Sequence, residues 1–262
     1  MSSKLPLPPY GDRADRCIRP LCFAAAGDEC YGLQTVEKFE AGSDGRLRNF
    51  QLGLQGTCTL ILYREHYFVL FTMHQVAPVP HETLQEFQAR MELVYVLMDD
   101  GHDSSNLPIN AILSPTNGDG DEADFVVAVI EKAMLTDFMR AHFFPVTRAS
   151  TGKVSDHALC SGFSSDLQQV LMQKDGLRTA AVCKRGVVVE RMARSTALVE
   201  YTAHQRMDGM SGGAVFLLQL KDHQPDLFVD GIIQRARRSF GGRSLLQYLT
   251  IERILDRIDE YF

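Results

Sequence analysis

Hydrophobic positions along this chain come in short runs rather than in long helical stripes. Residues 57–63 (TCTLILY) and 67–72 (YFVLFT) are β-branched and aromatic runs, separated by the polar turn Arg64–Glu65–His66. Similar runs occupy 92–98, 125–130, 186–192, 196–202, 214–220, 227–234 and 244–249. Many short strands joined by turns, without regular alternation with helices, predict an all-β sandwich or barrel rather than an α/β fold.

Helical patterns are few. Residues 81–91 place Leu84, Phe87, Gln88 and Met91 at helical spacing, and 131–143 is a second candidate. The clearest is 250–262, where Ile251, Ile254, Leu255 and Ile258 form one stripe and Thr250 is the expected N-cap. Its apolar face is expected to pack onto the strands before it. The stretch 99–123, rich in Gly, Pro and Asp, predicts a long loop with a strand at 109–113 inside it. Residues 145–153 are a candidate link between two halves.

Composition changes this picture little. At 262 residues, 45% hydrophobic and 23% charged, the chain can bury one large core or two small ones. A net charge of −6 argues against nucleic acid as a partner. No run approaches the ~20 apolar residues that span a bilayer, and the first 17 residues lack the apolar core of a secretory signal. The expectation is a cytoplasmic protein without a membrane partner. Its six cysteines form no CxxC pair, so they read as buried thiols. A zinc site from Cys17, Cys22 and Cys30 has poor spacing.

Three segments carry candidate chemistry. Asp208–Gly209–Met210–Ser211–Gly212–Gly213 precedes a strand, and glycines around an exposed hydroxyl leave room for backbone amides to face a developing oxyanion. Read alone, it is equally a glycine-rich hairpin turn. His74 ends the strand at 67–72, where a side chain can reach a cleft from a fixed backbone. Asp124 immediately precedes FVVAVI, where a partly buried carboxylate could hold an imidazole tautomer. His74 taken alone is a surface or structural histidine, and Asp124 a solvated strand start.

Together they are more specific. They run in the order His, Asp, Ser, about 50 and then about 90 residues apart. FTMHQV, ADFVVAVI and GMSGGAVF resemble the three catalytic segments of trypsin-like, chymotrypsin-fold serine peptidases. The resemblance covers roughly residues 45–262. It implies two antiparallel six-stranded β-barrels with a site between them: residues 46–145 carrying His74 and Asp124, and 146–262 carrying Ser211 and a closing helix. Residues 1–45 stay unassigned. It further implies a His74–Asp124–Ser211 triad, an oxyanion hole from the Gly209 and Ser211 amides, a polypeptide substrate, and no metal or cofactor.

Departures from the family narrow the expectation. Met210 stands where secreted trypsins have an Asp that pairs with a freshly cut amino terminus, and Gln75 where many have a cysteine, leaving Cys58 without a nearby disulfide partner. Both suit an intracellular, bacterial-type member. Pocket candidates are Gln205, Arg206, Ile233, Gln234 and Arg235, and no acid precedes Ser211 to receive a basic side chain. Arg235, Arg237, Arg238 and Arg243 make a basic loop, more simply a solvated hairpin tip than a selector of acidic peptides. An activating protein partner fits the unusual cleft residues. The alternative is a catalytically silent pseudopeptidase acting as a binding module. An α/β-hydrolase elbow is disfavoured, because a strand-like AVFLLQL follows Ser211 and no His lies beyond His223.

Overall fold

A computed structural model describes residues 14–25, 35–41, 47–76, 94–99, 104–107, 109–113, 123–148, 152–164, 181–192, 195–201, 208–221, 224–238 and 244–262. Two β units fill it. The first contains β1 (Ile18–Ala25), β2 (Thr35–Ala41), β3 (Leu47–Tyr63), β4 (His66–Phe71), β5 (Val94–Asp99), β6 (Ser104–Asn106), β7 (Ala111–Leu113), β8 (Val126–Ile130) and β9 (Phe144–Pro145). Among the described residues these make one sheet in the order β6-β5-β1-β3-β4-β8-β7, with β2 and β9 also pairing to β3. The second is a closed barrel, β10 (His157–Gly162), β11 (Val182–Met192), β12 (Thr196–Tyr201), β15 (Ser244–Thr250), β14 (Gln224–Arg238) and β13 (Ala214–Lys221), neighbouring in that order. This is the chymotrypsin-like two-barrel fold.

β1 and β2 come from the first 45 residues, which the sequence left without an assignment. β1 lies between β3 and β5 and includes Pro20, which has no amide proton to give. Pairing with β5 starts only at Leu21, one residue later.

Strand periodicity divides the apolar side chains between two cores. In β13, Ala214 and Phe216 join the large core beneath the first sheet, while Val215 and Leu217 fill the second barrel. β14 and β15 divide likewise, with Ile232 and Leu249 outward and Ile233, Leu246 and Tyr248 inward. A strand buried on both faces reads as a continuous apolar run, which is why AVFL at 214–217 shows no alternation, while Leu218 beyond it is exposed.

The helical expectations fare unevenly. Residues 81–91 lie outside the described residues. The segment 131–143 is not one helix: a 3-10 turn at Lys132–Met134 is followed by the short α1 (Asp137–Arg140). Thr136, in an extended conformation, accepts a hydrogen bond from the Met139 amide and starts α1 afresh. The closing helix α2 (Ile251–Asp259) forms as expected and buries Ile251, Ile254, Leu255 and Ile258 in the larger core, against β14 and β15. Thr250 occupies its N-cap position, but its side chain makes no capping bond; its amide instead donates to the Ser195 carbonyl. At the other end Arg148, in the connection between the units, donates to Asp256 and Asp259 of α2 and to the Tyr63 hydroxyl of β3. No helix among the described residues is long and apolar enough to cross a membrane.

Candidate active site

β4 and β8 are antiparallel neighbours with Phe71 opposite Val126. The end of β4 therefore lies beside the start of β8, and the residues just beyond, His74 and Asp124, meet there. His74 sits in a 3-10 turn, Met73–Val76, that follows the buried Thr72. Its backbone amide donates to Asp124 Oδ1 at 3.0 Å, and its Nδ1 lies 2.7 Å from Asp124 Oδ2. A carboxylate only accepts, so this contact puts a proton on Nδ1, and in the neutral ring that makes Nε2 the lone-pair nitrogen. Two bonds to one carboxylate fix both the ring and the turn that carries it.

Ser211 reaches the same region from the second barrel, on the turn between Asp208 and β13. Gly209 has φ +87° and Gly212 φ +79°, left-handed conformations that glycine adopts without penalty. At Gly212 space is decisive as well, because a Cβ there would run into the Thr57 carbonyl oxygen of β3. The turn is pinned to β14 by Gly212 N–H to Ile233 O at 2.8 Å and Ile233 N–H to Gly213 O at 2.7 Å. Among the described residues neither the Gly209 nor the Ser211 amide donates a hydrogen bond, so both remain available to an incoming anion.

Residues of the first unit also grip this turn. The Thr57 amide donates to Ser211 O at 3.1 Å, the Thr57 hydroxyl to Gly209 O at 2.8 Å, and the Thr59 hydroxyl to Gly212 O at 2.8 Å. Thr57 Oγ1 also accepts from the Phe163 amide at 2.8 Å. Thr57 and Thr59 are site residues that the sequence reading passed over, and Gln75 one that it named only as a departure from the family's cysteine. Their signal was faint but present: polar side chains two apart within the otherwise apolar run TCTLILY, and an amide directly after His74.

Ser211 and His74 are not joined to each other. The Ser211 hydroxyl donates to the Gln234 carbonyl at 3.0 Å, while His74 Nε2 lies 3.3 Å from Thr72 Oγ1. Met210 is fully buried among the side chains of the second barrel, so the position before Ser211 is an apolar plug. The partner facing Gln75 is not Cys58, whose thiol donates to Arg19 O at 3.4 Å. It is Gly56, where a Cβ would collide with the Gln75 amide nitrogen.

Of the pocket candidates, Ile233 packs in the second core and Gln234 is buried, its side-chain oxygen accepting from Gln247 at 3.2 Å. Arg235 is exposed. Gln205, Arg206 and Arg243 lie outside the described residues, as do the side chains of Arg237 and Arg238. Earlier in β14, the buried Asp230 receives Arg191, the Tyr248 hydroxyl at 2.5 Å and the Gly152 amide at 3.2 Å. Desolvation pushes the Asp230 carboxyl above its ordinary value, against the pull of Tyr248 and Arg191. Cys17, Cys58, Cys160 and Cys183 are free thiols, and Cys30 of the considered zinc set lies outside the described residues.

The fold defines the chymotrypsin-like class of architecture, and solved structures similar to it include serine peptidases. A Glu endopeptidase matches with a TM-score of 0.50 and 18% identity over 78% of this chain and 84% of its own. Kallikrein-related peptidase 10 matches with a TM-score of 0.55 and 9% identity over 95% of each chain. At such identities the likeness is one of fold. No family model matches the sequence, and no curated protein matches it.

Proposed function

We propose that this protein is a serine endopeptidase that cleaves polypeptides through His74, Asp124 and Ser211. The observation that carries the reading is the pairing of a doubly bonded Asp124–His74 couple with a serine on a left-handed glycine turn whose amides are unspent. Ser211 attacks the scissile carbonyl, and His74 Nε2 takes its proton and later gives it to the leaving amine. Asp124 orients the ring and stabilises its charged form. The Gly209 and Ser211 amides receive the oxyanion, at roughly 3 kcal/mol per donor. The cytoplasm is the proposed setting.

Catalysis requires the Ser211 hydroxyl to leave the Gln234 carbonyl and turn toward His74. That resting contact favours one elaboration and one rival: a peptidase switched on by a protein partner, or a silent pseudopeptidase that binds peptides. A fluorophosphonate probe separates them. The peptidase labels at Ser211, and Ser211→Ala and His74→Ala abolish the label; a chain that never labels, with or without candidate partners, is the binding module. Persistent labelling of Ser211→Ala would refute the assignment of the nucleophile. Cleavage of peptide libraries with acidic, neutral and basic positions then reads specificity, including any pull of Arg235 on acidic residues.

A further inference from the structure

We infer that Gln75 is a positioning residue for Ser211, its buried carboxamide tying the carbonyl of the candidate nucleophile to the strand end that carries His74. The inference rests on the peptidase reading above. A carboxamide offers two donor hydrogens and two acceptor lone pairs, and here all four are used. Oε1 accepts from the Thr72 amide and the Thr72 hydroxyl, each at 2.8 Å. Nε2 donates to Thr57 O and Ser211 O, each at 2.9 Å. The partners allow one orientation only: two carbonyls demand the NH2 end, and an amide N–H demands the oxygen.

The surroundings are shaped to this group. Gly56 lies against Nε2, and a Cβ on Gly212 would sit 2.7 Å from Oε1, so two glycines flank one amide. Only 5% exposed, Gln75 has no water to fall back on, and losing any partner would strand a polar atom. One side chain thus touches β3, the end of β4 and the nucleophile turn, fixing Ser211 relative to His74 across the two units.

It has a second effect on the base. The Thr72 hydroxyl has a single proton, and giving it to Gln75 Oε1 leaves Oγ1 with none to donate to His74 Nε2, 3.3 Å away. Gln75 thereby keeps Thr72 from capping the lone pair that must take the Ser211 proton. Without the amide, that hydroxyl is free to turn onto Nε2 and compete with Ser211.

The test uses the full chain, a small alkyl fluorophosphonate, and two variants. Gln75→Met keeps length and volume but has no polar atom. Gln75→Glu keeps the acceptor toward Thr72 and sets an oxygen against the Thr57 and Ser211 carbonyls. Labelling is resolved into KI and kinact, with thermal melts to confirm folding. In Gln75→Met, kinact is expected to fall about 10- to 100-fold with KI within about 2-fold, the pattern of a misplaced nucleophile. For Gln75→Glu, the rate relative to wild type at matched pH should rise from about pH 8 to about pH 6, because a protonated carboxyl regains an O–H donor. A folded Gln75→Met that labels at the wild-type kinact overturns the inference and leaves the peptidase reading standing. Should that variant not fold, a Gln75→Glu ratio flat with pH overturns it instead. A wild-type chain that never labels removes both.

Discussion

Replacing Thr57 with valine tests the grip of the first unit on the nucleophile turn with almost no change of shape. Thr57 is fully buried in β3, and its hydroxyl does two jobs, donating to Gly209 O and accepting from the Phe163 amide, each at 2.8 Å. Valine keeps the β-branched outline and the strand preference but removes both bonds. A partly buried carbonyl and a buried amide then lose a partner, at about 1 and about 1–2 kcal/mol, so Thr57→Val should destabilise by about 2–3 kcal/mol. For a chain of this length that lowers the thermal midpoint by roughly 5–10 °C. Thr57→Ser keeps the hydroxyl and loses one methyl, at about 1 kcal/mol. The assay is a pair of thermal and urea melts on the two variants, with fluorophosphonate labelling alongside. Thr57→Val should also label more slowly, because Gly209 O sits on the peptide plane next to the proposed oxyanion amides. A valine variant as stable as the serine variant would refute the reasoning, since it would mean the hydroxyl contributes no net bonding.

Other expectations follow from the same geometry. Asp230→Ala strands the partly buried Arg191 and the Tyr248 hydroxyl, and should cost about 3–5 kcal/mol in a urea melt, whereas Asp230→Asn should cost less. Because burial raises the folded-state value of Asp230, protonation favours the folded form: its contribution is fully present below the unfolded carboxyl value and is lost as pH rises through the raised value. Wild type should therefore lose stability over that window relative to Asp230→Asn, and parallel pH profiles would contradict the shift. Desolvation pushes the Cys160 and Cys183 thiols up to about 12, so at pH ~8 neither should react with iodoacetamide until the protein unfolds, as read by site-resolved mass spectrometry. Arg148→Met cuts the ties from the connection to α2 and β3; the pairs are half-exposed, so about 1 kcal/mol is expected, shrinking in high salt.

What the sequence revealed was whatever depends on local pattern. The apolar stripe of α2, the runs of β3, β4 and β8, and the glycines around Ser211 are all read within a dozen residues. The order of His74, Asp124 and Ser211 added the long-range frame. Three things lay beyond that reach. β1 contains Pro20 and sits outside the span of the family resemblance, so only its pairing with β3 and β5 reveals it as an inner strand. The helix expected at 131–143 fails because Thr136 bonds forward to Met139 and restarts the chain, a competition that apolar spacing does not register. Thr57, Thr59 and Gln75 matter through carbonyls more than 130 residues away in sequence, and no periodicity encodes such a distance.

The meeting of Gly212 with the Thr57 carbonyl has a consequence for how the two halves depend on each other. The second barrel closes on itself, yet the loop bearing Ser211 is completed by a strand it does not contain. A fragment ending the chain from residue 152 would carry the serine on a slack tether. Adding the first half back in trans should restore reactivity only as the halves dock, so that labelling becomes a gauge of their association. A shift of one half against the other would break the bonds from Thr57, Thr59 and Gln75 to the turn that carries the serine.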